Sequence, residues 1–156
     1  MPDGNTARVL SFVHWSKSVI IPVSMKPLDE ILKLSGLRCL DLDKFSRVRH
    51  SIIKEDFFRI AFAQTISANT SPEQLYATLF CNGRRPPLLR EFILAYLCHA
   101  KKLLAPTWMC LTPFQENDLS YFPIINGDKN IFFAPMIGKV RKDVVYPVVV
   151  PSFFDF

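Results

Sequence analysis

Few residues in this chain have the types and spacing that chemistry needs. Cys98 and His99 are adjacent. On a helix, neighbours point about 100° apart, so these two do not pair as nucleophile and base. Cys81, Cys98, His99 and Cys110 are the right types for zinc, but their spacing matches no usual zinc pattern, and buried thiols are the simpler reading. Asp41 and Asp43 stand two apart, as in some metal-binding nuclease loops, yet one of them is more simply the cap of a following helix. There is no glycine-rich phosphate loop, no Gly-x-Ser-x-Gly elbow and no His-Glu-x-x-His. No catalytic residue, metal ligand or cofactor is therefore assigned, and catalysis is the lesser expectation.

Basic charge offers a second chemistry. The net charge is +5, and the whole excess lies between residues 44 and 102, where ten Lys and Arg face four Asp and Glu. Binding follows such local fields more than the total charge. At helical spacing, Lys44, Arg47, His50 and Lys54 share one face, and Arg84 and Arg85 precede another helix. Together they could neutralise phosphates. A helix, a tight connection and a helix across 71–104 also invite a helix-turn-helix reading. Against it, Leu88, Leu89, Phe92, Ile93, Leu94, Tyr96, Leu97, Leu103 and Leu104 leave the second helix little polar surface for base edges. That helix reads as the buried centre of the fold.

The remaining chemistry is apolar. The chain closes on Ser152-Phe153-Phe154-Asp155-Phe156, three aromatic rings where chain ends are usually polar. Phe153, Phe154 and Phe156 must find a groove, on their own domain or on a second subunit.

These residues need elements to position them. Arg8–Trp15 and Ser18–Val23 read as a hairpin joined at Ser16-Lys17-Ser18. Pro27 opens a helix through Ser35, which Gly36 stops. Asp43 can cap a basic-faced helix, and Phe57 to Ala68 continues as a more apolar helix or as the same helix bent. Ser71, Pro72 and Gln74 start a helix over Pro72–Cys81. Arg84-Arg85-Pro86-Pro87 is a rigid connector into the helix Leu88–Leu104. Tyr121–Ile125, Ile131–Ile137 and Val144–Val150 read as a C-terminal antiparallel meander, with turns at Asn126-Gly127 and Gly138 and a weaker extended run at Trp108–Thr112. Pro22, Pro123, Pro135 and Pro147 each sit inside an apolar run. Proline lacks the ladder donor, so these strands belong at edges or bulges.

The fold expected is α+β: an N-terminal β-hairpin, a central helical segment with one buried helix, and a C-terminal antiparallel β-meander. With 156 residues, 49% of them hydrophobic, one globular domain over 1–156 is expected and disorder is excluded. The longest stretches without charge, Ile60–Pro72 and Leu103–Gln115, are too short and too polar for a bilayer crossing. Four scattered cysteines without a Cys-x-x-Cys pair, and a start that lacks the form of a secretory signal, point to the cytoplasm. The function expected is a non-catalytic protein–protein interaction or assembly module, self-associating through apolar strands and the aromatic tail. The partner is then a second copy or another protein. The alternative is a nucleic-acid-binding accessory or regulatory protein using the basic 44–102 segment.

Overall fold

The computed structural model describes residues 13–15, 18–41, 43–44, 56–65, 74, 77, 83–100, 107–135 and 144–150. They build one mixed sheet of nine strands, with two helices described in full. The strands are β1 (Val13–Trp15), β2 (Val19–Pro22), β3 (Arg38–Cys39), β4 (Phe57–Thr65), β5 (Thr107–Met109), β6 (Phe114–Glu116), β7 (Leu119–Ile125), β8 (Asn130–Pro135) and β9 (Val144–Val150). The helices are α1 (Leu28–Ser35) and α2 (Leu89–His99). Across the sheet the order is β1-β4-β9-β5-β7-β8-β3, with β2 also on β4 and β6 also on β7.

The α+β expectation with a central helical segment is therefore overturned. The described residues are mostly sheet, and Phe57 onward is a strand where a helix was read. The reason lies in where that strand sits. β4 is flanked by β1 and β2 on one side and β9 on the other. Phe58, Ile60 and Phe62 point to one buried face, and Ala61 points to the other. Where apolar residues such as Ala61 occupy the second face too, a strand loses the apolar–polar alternation that marks it in sequence.

The N-terminal hairpin is also corrected. β1 and β2 do not pair with each other; both run antiparallel along β4. Trp15 stands opposite Ala63 and Val19 opposite Ile60, so four steps on one side match three on the other. Both lie on the same side of β4, with their registers offset by one residue. β5 and β6 repeat the device along β7. Met109 faces Ile124 and Phe114 faces Tyr121, leaving two extra residues within 110–113.

The meander holds in part. β7 and β8 form the expected antiparallel hairpin at Asn126-Gly127. Asn126 Oδ1 accepts from the Asp128 and Asn130 backbone N–H groups, both at 3.1 Å, which pins the turn. β9, however, does not follow β8. It pairs antiparallel with β4 and parallel with β5. All seven of its residues are buried, so it is a central strand and not an edge strand.

Proline explains where ladders stop. Cys110 N–H donates to Pro123 O at 2.9 Å, but Pro123 has no N–H to return, and β5 ends at Met109. Val149 exchanges bonds of 2.8 and 3.1 Å with Arg85 on the side away from β4. By alternation Pro147 faces that same side, in the interval between the last β5 partner, Val145, and Arg85. No ladder bond is asked of its missing donor there. Pro22 ends β2 on the open side of the edge.

Both described helices cover one face. Ile31 and Leu32 of α1, and Leu89, Phe92, Ile93, Leu94 and Ala95 of α2, close over Ile21, Phe58, Ile60, Trp108, Ile125 and Val145. Trp108 meets Phe62, Phe92 and Tyr96 edge-on, with centroids at 5.4, 6.5 and 5.4 Å. The buried helix is where its sequence placed it as far as His99, Leu103 and Leu104 lying outside the described residues, with corrections in its last turns, where Tyr96 is only half-buried. Leu97 is 40% exposed, because the last turn of α2 leaves the core. α1 stops as read: Gly36 takes φ 73°, and Leu37 N–H returns to Leu32 O, a Schellman closure that a side chain would strain. Arg90 ties the helices to the sheet by donating to Ser24 O and Lys26 O at 3.1 and 2.6 Å. The opposite face carries its own buried cluster of Ala61, Met109, Leu111, Phe122, Tyr146 and Val148.

Candidate functional site

The polar groups of the described residues gather in three places. The first is the junction where the connector enters α2. Arg85 forks onto Glu91, with Nη1 donating to Oε1 at 2.8 Å and Nη2 to Oε2 at 2.9 Å. Glu91 also accepts from Leu88 N–H at 2.8 Å, closing the first turn of the helix. Its side chain is only 1% exposed, whereas that of Arg85 is 45% exposed. Behind them, Pro87 O accepts from Cys110 Sγ at 3.3 Å and from Thr112 Oγ1. These bonds anchor the extra residues between β5 and β6 to the start of α2. Burial pushes the Cys110 thiol up to about 12, so it stays protonated and is no nucleophile near neutrality.

The second place is around Lys44. Its Nζ lies 3.8 Å from Glu116 Oε2 and 5.0 Å from the centre of the Tyr121 ring. Glu116 is delivered by a tight turn in which Asn117 and Asp118 take φ 52° and 65°. Two successive positive φ values define the mirror-image hairpin turn, which Asn and Asp tolerate. Nearby, Asp41 Oδ2 accepts from Phe133 N–H at 3.0 Å, prolonging the β3–β8 ladder with a side chain. Asp41 thus serves the sheet. Among the described residues no three His, Cys, Asp or Glu groups stand together as a metal site.

The third place is the outer end of β2 and β4, on the face away from the helices. Ile20 and Phe57 are 53% and 49% exposed there. Ile20 stands opposite Arg59, and Arg59 stands opposite Val150. The bridge from Arg85 to Val149 sets Arg84 alongside Val150. Arg59 and Arg84 are half-buried, and desolvation lowers the Arg84 pKa.

The six basic residues read as a phosphate surface separate in three ways. Lys44 and Arg85 are each engaged by a carboxylate, and a paired cation has less field to offer a phosphate. Arg84 lies beside Val150, on the opposite face of the sheet from Lys44 and Tyr121. Arg47, His50 and Lys54 lie outside the described residues, as do Phe153, Phe154 and Phe156. The Pro72–Cys81 reading also lies outside them, except for Gln74 and Ala77, both helical. Cys98 is exposed, and the His99 ring lies 6.0 Å from that of Phe62.

Sequence reasoning missed Glu91, Arg90, Thr112 and the Ile20–Phe57 patch. Glu91 had a signal: a carboxylate at the third position of a helix, six residues after Arg85. The patch had none, because it exists only when β2 and β4 pair. No protein-family model, curated protein or solved structure matches the chain.

Proposed function

We propose that the chain is a non-catalytic assembly module that self-associates through its apolar strand edge and the aromatic segment 153–156. The observation that carries this reading is the pair Ile20 and Phe57, exposed side by side at an edge where no further strand is recorded among the described residues. Val23 N–H bonds Asp56 O, so by alternation the backbone of Ile20 and Pro22 faces outward. Pro22 has no donor, which keeps any pairing there short and favours a closed pair of copies over an open stack. The cytoplasmic reading is supported by the thiols of Cys39 and Cys110, which are in no disulfide. No described helix is long and apolar enough to cross a membrane.

Magnitudes make the edge insufficient alone. Burying the exposed halves of Ile20 and Phe57 in two copies gives about 3–6 kcal/mol, against an association cost of about 4–15 kcal/mol. The phenyl rings at 153, 154 and 156 supply the difference if they too are buried between copies, at about 1.5–3 kcal/mol each. Light scattering after size exclusion tests this. The expected result is a dimer whose mass persists in 1 M salt, since apolar burial is not screened. A monomer at all concentrations would refute it. Co-elution with added nucleic acid that is lost as salt rises would favour the phosphate-binding alternative.

A further inference from the structure

A sheet edge is protected from pairing by charge, by shortness or by a bulge. β3, at one end of this sheet, fits that description: it has two residues, one of them the exposed Arg38. β2 does not. No charged residue stands between Lys17 and Lys26, and Val19, Ile20 and Ile21 are all β-branched. The ladder decides which backbone groups of β2 face out. Val23 N–H bonds Asp56 O, so the β2–β4 register turns Val19 and Ile21 inward to β4 and Ile20 and Pro22 outward. Pro22 offers a carbonyl alone. Within Val19–Pro22, Ile20 therefore presents outward both a donor and an acceptor, and neither is bonded among the described residues. Its side chain is open as well, with the residue 53% exposed.

We propose that β2 pairs antiparallel with β2 of a second copy, with Ile20 opposite Ile20 on the two-fold axis. The inference rests on the assembly reading and names its seam. Within the strand, this register gives Ile20 both bonds, each N–H donating to the C=O of the other copy. A shift that sets Ile20 opposite Pro22 leaves both Ile20 carbonyls facing a ring without a donor. The same register joins apolar side chains on both faces. Ile20 meets Ile20 on the face away from the helices, and half-buried Val19 stands beside Ile21 of the second copy on the other. A head-to-tail array finds no matching edge, because β3 is short and carries Arg38, so the pairing closes at two copies. Four paired residues make a seam of about 14 Å, less than an interface of about 1,200 Å² requires. Segment 153–156 supplies the remainder in the assembly reading.

Two measurements on the full chain test it. The first is light scattering of Ile20→Pro against Ile20→Ala, with circular dichroism to confirm folding. Proline keeps apolar area and removes the donor, whereas alanine keeps the donor and removes area. The wild-type chain is expected to be dimeric, and Ile20→Pro to dimerise at least tenfold more weakly than Ile20→Ala. In the second, Ile20→Cys and Phe57→Cys are each treated with a short bismaleimide and mapped by peptide mass. Position 20 stands against its own counterpart, whereas position 57 lies about 20 Å from its counterpart across the seam. The expected products join 20 to 20 and never 57 to 57. A monomeric wild-type chain refutes the assembly reading and this inference together. A dimer in which Ile20→Pro is no weaker than Ile20→Ala, or in which no 20-to-20 link forms, overturns the inference alone and leaves association through segment 153–156. If Ile20→Pro fails to fold, the cross-link decides by itself.

Discussion

Replacing Arg85 by Met should strand the Glu91 carboxylate, and the cost can be worked from the geometry. Glu91 loses two charge-assisted bonds of 2.8 and 2.9 Å and keeps only the one from Leu88 N–H. At 1% exposure it cannot recover them from water. A hydrogen bond to a charged group contributes about 1.5–3 kcal/mol net. Water already screens the 45%-exposed guanidinium, so the lower part of the range applies, and Arg85→Met should cost about 2–4 kcal/mol. Glu91→Gln should cost less, about 1–2 kcal/mol, because the freed guanidinium can hydrate and Gln Oε1 can still accept from Leu88. The double variant should be little worse than Glu91→Gln alone. The assay is urea unfolding at fixed protein concentration, followed by fluorescence of buried Trp108 and by circular dichroism. A loss of about 3 kcal/mol would also lower Tm by about 6–12 °C. A coupling energy below about 0.5 kcal/mol would refute the reasoning. It would mean that the fork is a surface pair, and that Arg85 is available to a ligand after all.

Other expectations follow from single residues. Phe92→Ala should cost about 3–5 kcal/mol, since its ring is wholly buried against Trp108, and an unchanged urea midpoint would show that α2 is peripheral. Lys129 takes φ 61° in the β7–β8 turn, so Lys129→Gly should gain about 1 kcal/mol; a lower Tm would show that its side chain matters more than its backbone. Cys110 should resist iodoacetamide at pH 8.5 in the native protein while exposed Cys98 reacts, as peptide mass mapping can show. Its folded pKa, about 12, lies above the unfolded value near 9, so the native state holds the proton longer. The stability this contributes is complete below about pH 9 and is lost as pH rises toward about 12. The loss over that range should shrink in Cys110→Ala, and an identical alkaline profile would refute the assignment.

Local signals were legible in the chain and held. Pro27 and Gly36 bracket α1 because one presets a helical φ and the other accepts a positive φ. Asn126-Gly127 turns β7 into β8, and the apolar run from Leu89 makes the buried helix. Each of these depends on residues a few positions apart. The readings that failed depend on partners far along the chain. Phe57–Thr65 reads as a helix because Ala61 and Ala63 blur its alternation, and only the placing of β4 between the edge strands and β9 explains why Ala61 is buried on the face opposite Phe58, Ile60 and Phe62. Val144–Val150 shows its β-branched residues openly, yet nothing in them says that it skips β8 to pair with β4 and β5. The candidate sites divide in the same way. Arg84 and Arg85 are conspicuous as charges in the sequence. Tertiary structure sends one into a fork with Glu91 and sets the other beside Val150, because the connector bridges β9 at Arg85 where β5 no longer reaches. Ile20, Phe57 and Arg59 become one surface only through strand register. Pairing between distant segments fixes which face each side chain takes, and a chain read in order carries the alternation of a strand but not the identity of its neighbour.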